Sequence, residues 1–128
     1  MKTGIFSGKR AVVTGGSRGI GRGIVRRLGS ESAEVCIIAC SQDVLADTII
    51  EIEQKGATCY TVSSDLATTD GARTAAERVL SISPRWNILV NCAGNPPGPM
   101  LLEMDVDYWD RTFAIHCRSI YPGSVTRA

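Results

Sequence analysis

Thr14-Gly15-Gly16-Ser17-Arg18-Gly19-Ile20-Gly21 lies between a short apolar run, Ala11-Val12-Val13, and an amphipathic stretch that begins near Ile20. An apolar strand that ends in glycines and passes straight into a helix brings bare backbone N–H groups and the positive helix end toward an anion. No Cβ obstructs the approach. The stretch therefore reads as a phosphate-binding turn. Its glycines leave no register for the dinucleotide spacing G-x-G-x-x-G, and a glycine-rich loop without function would carry similar letters, so the rest of the chain has to decide.

The chain has 128 residues, enough for one domain that buries about two thirds of the surface its unfolded form exposes. With 14 basic and 13 acidic residues its net charge is +1. No large field points to nucleic acid or an acidic membrane surface, so the expected partner is a small molecule or cofactor. The N-terminus lacks an apolar segment of about 7 to 15 residues behind a basic region, and no run approaches the roughly 18 apolar residues of a membrane span. A soluble, cytoplasmic protein is expected. Five cysteines are an odd number without a Cys-x-x-Cys pair, and Cys36, Cys40, Cys59 and Cys92 fall in or beside apolar runs. Reduced packing residues are expected, with no disulfide and no metal site.

Apolar runs and helical periodicity alternate along the chain. Arg10 to Val13 reads as a first strand covered on both faces. In the helix after it, Ile20, Ile24, Val25 and Leu28 share one side, and Arg22, Arg26 and Arg27 form a solvated face opposite. Val35 to Cys40 is a second strand, and Ser41-Gln42-Asp43 supplies groups able to cap a helix that turns Leu45, Thr48, Ile49 and Ile52 inward and ends at Gly56. Thr58 to Val62 is a third strand. A helix from Thr69 or Asp70, with Ala72, Ala75, Ala76, Val79 and Leu80 on one stripe, stops at Pro84. Asn87 to Val90 is a fourth strand, Gly94 to Pro99 is irregular, and a helix from about Asp105 turns Val106, Trp109, Phe113, His116 and Ile120 inward until Pro122 and Gly123 close it.

Strands alternating with helices of this length give an α/β fold, a Rossmann-like doubly wound parallel sheet with helices on both faces. The usual order, 3-2-1-4, puts ligand binding outside the carboxyl ends of strands one and four. Residues 1–119 are expected to form this domain, and 120–128 an irregular tail. There are no repeats, linkers or low-complexity segments.

Four stretches resemble one family. Thr14-Gly15-x-x-x-Gly19-x-Gly21 resembles the cofactor turn of the short-chain dehydrogenase/reductase family. Asp65-Leu66 is similar to that family's adenine-contacting pair, although a loop or cap aspartate has the same form. Asn91-Cys92-Ala93-Gly94 resembles its Asn-Asn-Ala-Gly signature with Cys92 in place of the second asparagine, and Trp109 to His116 resembles the helix that follows. The resemblance covers nearly all of residues 8–118. It implies a nicotinamide dinucleotide held by Thr14, Gly15, Ser17, Arg18, Gly19, Ile20, Gly21, Ser41, Asp65, Leu66, Asn91, Ala93 and Gly94. NAD-users place a carboxylate at the end of strand two; Ala39-Cys40-Ser41-Gln42 offers no acid there and Arg18 can reach a 2′-phosphate, so NADP(H) is expected over NAD(H), although Asp43 lies one step later.

The family's reduction uses a tyrosine, a lysine four residues on and a serine. The sequence contains no Tyr-x-x-x-Lys: Tyr60, Tyr108 and Tyr121 are followed at that spacing by Ser64, Thr112 and Val125. His116 stands where the family has a catalytic asparagine, and the simpler expectation is a histidine packed beside Trp109 and Phe113. The resemblance implies an NAD(P)(H)-dependent oxidoreductase that passes hydride between carbonyl and alcohol, with 3-oxoacyl and tropinone-like reductases as relatives, present here as its cofactor-binding part and inactive alone. The other reading is a nucleotide-binding or interaction fragment that pairs with a full-length relative. Ile88-Leu89-Val90 at the sheet edge would then invite self-association or pairing with another chain.

Overall fold

The computed structural model describes residues 4–121; Pro122, Gly123 and the tail beyond them lie outside the described residues. Four parallel strands, β1 (Arg10–Thr14), β2 (Glu34–Ala39), β3 (Cys59–Ser63) and β4 (Ile88–Asn91), pair in the order β3-β2-β1-β4. They are joined by α1 (Gly19–Ser30), α2 (Gln42–Gln54) and α3 (Thr69–Ile82), and α4 (Val106–Phe113) follows β4. Strand order and helix positions agree with the expectation, and the boundaries differ by a residue or so at most ends, where propensity is weakest.

The pleat explains why β1 and β2 are apolar throughout. Ala11 and Val13 of β1, with Val35, Ile37 and Ala39 of β2, pack with Val25 and Leu28 of α1 and Leu45 and Ile52 of α2. The alternate residues, Val12, Cys36 and Ile38, pack with Val62 of β3 and Ala75 and Val79 of α3 on the other side. Both faces are covered, and each fully buried Val or Ile contributes about 1.5–3 kcal/mol relative to exposure. Because all four strands run parallel, their carboxyl ends lie at one edge of the sheet.

Four expectations need correction. Ile20 does not face the core; it is 79% exposed. Ser41 is the N-cap residue of α2 but its side chain makes no capping bond. Cys40 is exposed and does not pack, and all five cysteines are free. In α4 the expected inward stripe is the outer one: Val106, Trp109 and Phe113 are 72%, 51% and 49% exposed, while Ala114 and Ile115 are buried. Trp109 and Phe113 stack on each other at 5.0 Å instead of on the sheet. An apolar stripe says which face a helix would bury, not which face its neighbours cover.

The arginines of α1 are not merely solvated. Glu51 on α2 accepts from Arg22 Nη2 and Arg26 Nε, each at 2.5 Å, and so bridges the two helices. The bonds from Arg26 and Arg22 hold its carboxyl down at about 2.

Candidate functional site

The carboxyl ends of the strands open into a cleft of about 710 Å³, within the range that holds a cofactor. One wall is the glycine turn with the first turn of α1; the others are residues 39–41 after β2, 64–66 after β3 and 92–96 after β4, with Arg111 and Ile115 contributed from beyond β4.

The glycine turn presses against the exit of β4. Gly15 has φ +69°, and a Cβ there would come within 2.8–2.9 Å of the backbone of Cys92 and Ala93. At Gly21 an added Cβ would collide with the Gly15 carbonyl. Only glycine permits this approach. Thr14 fastens the contact from beneath, since its Oγ1 accepts the N–H groups of Cys92 and Ala93, both at 3.1 Å.

The helix ends differ in a way that bears on ligands. α3 is capped by Thr68, which accepts from Gly71 N–H at 2.9 Å, and α4 by Asp105, which accepts from Tyr108 N–H at 2.7 Å. α1 has Arg18 at its N-cap, no side-chain capping bond and no acid in its first turn. Its first N–H groups have no intrahelical partners, and they carry the positive end of the helix dipole beside the cleft. That arrangement can receive an anion.

Of the residues singled out from the sequence, Gly15, Ser17, Arg18, Ile20, Gly21, Ser41, Asp65, Leu66, Ala93 and Gly94 line this cleft. Thr14 and Asn91 instead line a separate apolar cavity of about 310 Å³ beneath α3. Gly19, at φ +59°, faces open space. Asp65 Oδ1 accepts from Ala67 N–H at 2.9 Å and lies 3.5 Å from Arg111 Nη2.

His116 is exposed rather than packed with Trp109 and Phe113. It sits in a π turn, Ala114–Arg118, that continues α4. Its Nε2 lies 3.0 Å from Asn95 Oδ1, and Asn95 Nδ2 donates to Thr112 Oγ1 at 2.8 Å. The histidine rests against Gly94, where an added Cβ would come 2.7 Å from its Cε1. Burial pushes the Cys36 thiol up to about 12 and that of Cys59 up to about 11, so both are neutral packing groups near pH 7. Among the described residues no group of His, Cys, Asp and Glu is arranged to hold a metal, and no helix is long and apolar enough to cross a membrane.

Arg111, Ile115, Asn95 and Pro96 escaped the sequence reading. Tyr108, Arg111, Thr112 and Ile115 recur at helical spacing opposite the Trp109 stripe, which is the signal that would have found two of them.

The family described as short chain dehydrogenase matches residues 9–127. The chain is 36% identical over 116 residues to a rhamnolipids biosynthesis 3-oxoacyl-[acyl-carrier-protein] reductase of Pseudomonas aeruginosa, covering 91% of this chain and 45% of that protein. It is 33% identical to an L-rhamnose 1-dehydrogenase (NADP(+)) of Thermoplasma acidophilum, over 91% of this chain and 46% of that one. A metagenomic short-chain oxidoreductase, solved in complex with NADP, superposes with a TM-score of 0.84 at 37% identity, over 92% of this chain and 54% of the other. The chain thus spans about half the length of the relatives it matches.

Proposed function

The chain belongs to the short-chain dehydrogenase family, and from that premise we propose that it forms the dinucleotide-holding part of an NADP(H)-dependent oxidoreductase acting on a carbonyl or alcohol. The observation that carries this reading is the uncapped start of α1, wrapped by a glycine turn so tight that a Cβ at Gly15 or Gly21 would strike backbone. Such a turn accepts a pyrophosphate along bare N–H groups.

The other assignments follow the cleft. Arg18 and Ser41 would receive a 2′-phosphate; no carboxylate stands in residues 39–42 to hold a ribose 2′-hydroxyl instead. Asp65 and Leu66 would take the adenine, and Ala93 and Gly94 would let the ribose and nicotinamide lie close to the backbone, with Thr14, Gly19 and Asn91 shaping the turns. A bound nicotinamide supplies or accepts the hydride. The 3-oxoacyl reductases among the relatives favour a 3-oxoacyl compound or similar ketone as substrate.

A second reading is favoured by one specific observation. The His116 imidazole is already engaged, its Nε2 lying 3.0 Å from Asn95 Oδ1. On that reading the chain holds nucleotide without turnover, and pairs with a full-length relative through the open edge of β4, where Leu89 is 39% exposed.

Titration of the 128-residue chain with NADPH and NADH, followed by thermal shift, tests the proposal. Ligand at 100 times its Kd stabilises the folded chain by about 2.7 kcal/mol. NADPH is expected to raise Tm more than NADH, and Arg18→Ala to weaken NADPH more than NADH. No shift with either nucleotide from a folded sample refutes the reading. An equal loss for both in Arg18→Ala removes the preference for NADP.

A further inference from the structure

We propose that Arg111 is a positioning residue for the base of the nucleotide: it orients the Asp65 carboxylate and lays its guanidinium against the purine ring. This rests on the cleft being a dinucleotide site. Arg111 lines the cleft and comes from the helix beyond β4, 46 positions along the chain from Asp65. Two arginines hold the loop after β3 from that side: Arg111 Nη2 lies 3.5 Å from Asp65 Oδ1, and Arg118 Nη2 donates to the Ala67 carbonyl at 2.7 Å.

The bonds to Asp65 are arranged asymmetrically. Ala67 N–H and Arg111 both address Oδ1. Oδ2 is left to accept from a donor in the cleft, such as an exocyclic amine. The pair is well solvated, with side chains 52% and 40% exposed, so it adds little to stability as an ion pair. Its consequence is geometric: the carboxylate is held from one edge, and a planar cation stands beside it at the cleft wall, where Leu66 and Ile115 supply apolar surface. A flat aromatic base is the ligand group that uses all three, because it can stack on a guanidinium plane, pack on aliphatic side chains and donate in its own plane to a carboxylate.

The test measures Kd for NADPH and for reduced nicotinamide mononucleotide, which has no adenine, on the 128-residue chain and on Arg111→Ala and Arg111→Lys. Melts without ligand check that the variants stay folded. Arg111→Ala is expected to weaken NADPH about 3- to 30-fold, the range of a guanidinium–ring contact, and to leave the mononucleotide unchanged. Arg111→Lys is expected to recover less than half of the loss, since an ammonium has no planar fork. Unchanged NADPH affinity in Arg111→Ala, an equal loss for both ligands, or full recovery by lysine would each overturn the inference. Failure of the parent chain to bind NADPH would overturn the reading of the cleft, and this inference with it.

Discussion

Replacing Thr14 by valine tests whether the hydroxyl beneath the glycine turn holds β4 in place. Valine keeps the volume and branching of threonine and suits a strand at least as well, so the change deletes one acceptor and little else. Thr14 Oγ1 receives two backbone N–H groups, those of Cys92 and Ala93, each at 3.1 Å. A hydrogen bond of this kind contributes about 0.5–1.5 kcal/mol net, and a donor left without a partner costs more where water cannot reach it. Both donors here are partly buried, so water replaces some of the loss, and about 1–2 kcal/mol is expected in all. For a chain of this size that lowers Tm by roughly 4–8 °C. It moves the urea midpoint down by roughly 0.5–1 M without changing the slope. Thr14→Ser, which keeps the oxygen and loses the methyl, should retain most of the stability. A serine variant as unstable as the valine variant would refute the reasoning, because the methyl and not the hydroxyl would then carry the effect. So would a valine variant within about 0.3 kcal/mol of the parent, a difference too small for two lost hydrogen bonds.

Two other outcomes are expected. Gly15→Ala forces a residue with a Cβ into φ +69° and against the backbone of Ala93; the conformation alone costs about 1–2 kcal/mol, and the displaced β4 exit should weaken NADPH binding as well, so a variant with parental Tm and affinity contradicts the close approach. For Glu51 the sign follows from a folded value near 2 against an ordinary 4.5: its pairing with Arg26 and Arg22 stabilises the fold above pH 4.5 and is lost as pH falls toward 2. Glu51→Gln should therefore differ most from the parent above pH 4.5 and converge with it below, as read by urea unfolding at several pH values; a gap constant with pH contradicts the pairing.

The layering of the fold was legible because its physical cause is local. A parallel strand covered on both faces must be apolar at every position, as Ala11 to Val13 and Val35 to Ala39 are, and each helix carries its own stripe. The stripe of α4 was legible too, but its direction was not. Trp109 and Phe113 belong to the more apolar side, yet Ala114 and Ile115 are the residues that become buried. That choice depends on where the loop from Gly94 to Pro99 delivers the helix and on the π turn at Ala114–Arg118, neither of which has a periodic signature.

Contacts between distant positions were likewise invisible. Arg22 and Arg26 read as a solvated face until Glu51, on another helix, was placed beside them. His116 read as a core residue, yet it is exposed and lies against Asn95, 21 positions away.

The sequence by itself determined the alternation of strands and helices, the glycine turn at residues 14–21 and the family resemblance, because each rests on spacing within a short window; the strand order followed only as the usual one for that alternation. Only the tertiary structure decided that Thr14 ties the turn to β4, that the start of α1 shares a cleft with the ends of β2, β3 and β4 and that Arg111 meets Asp65. Those facts are distances between residues far apart in the chain. Packing sets them, and no local pattern encodes them.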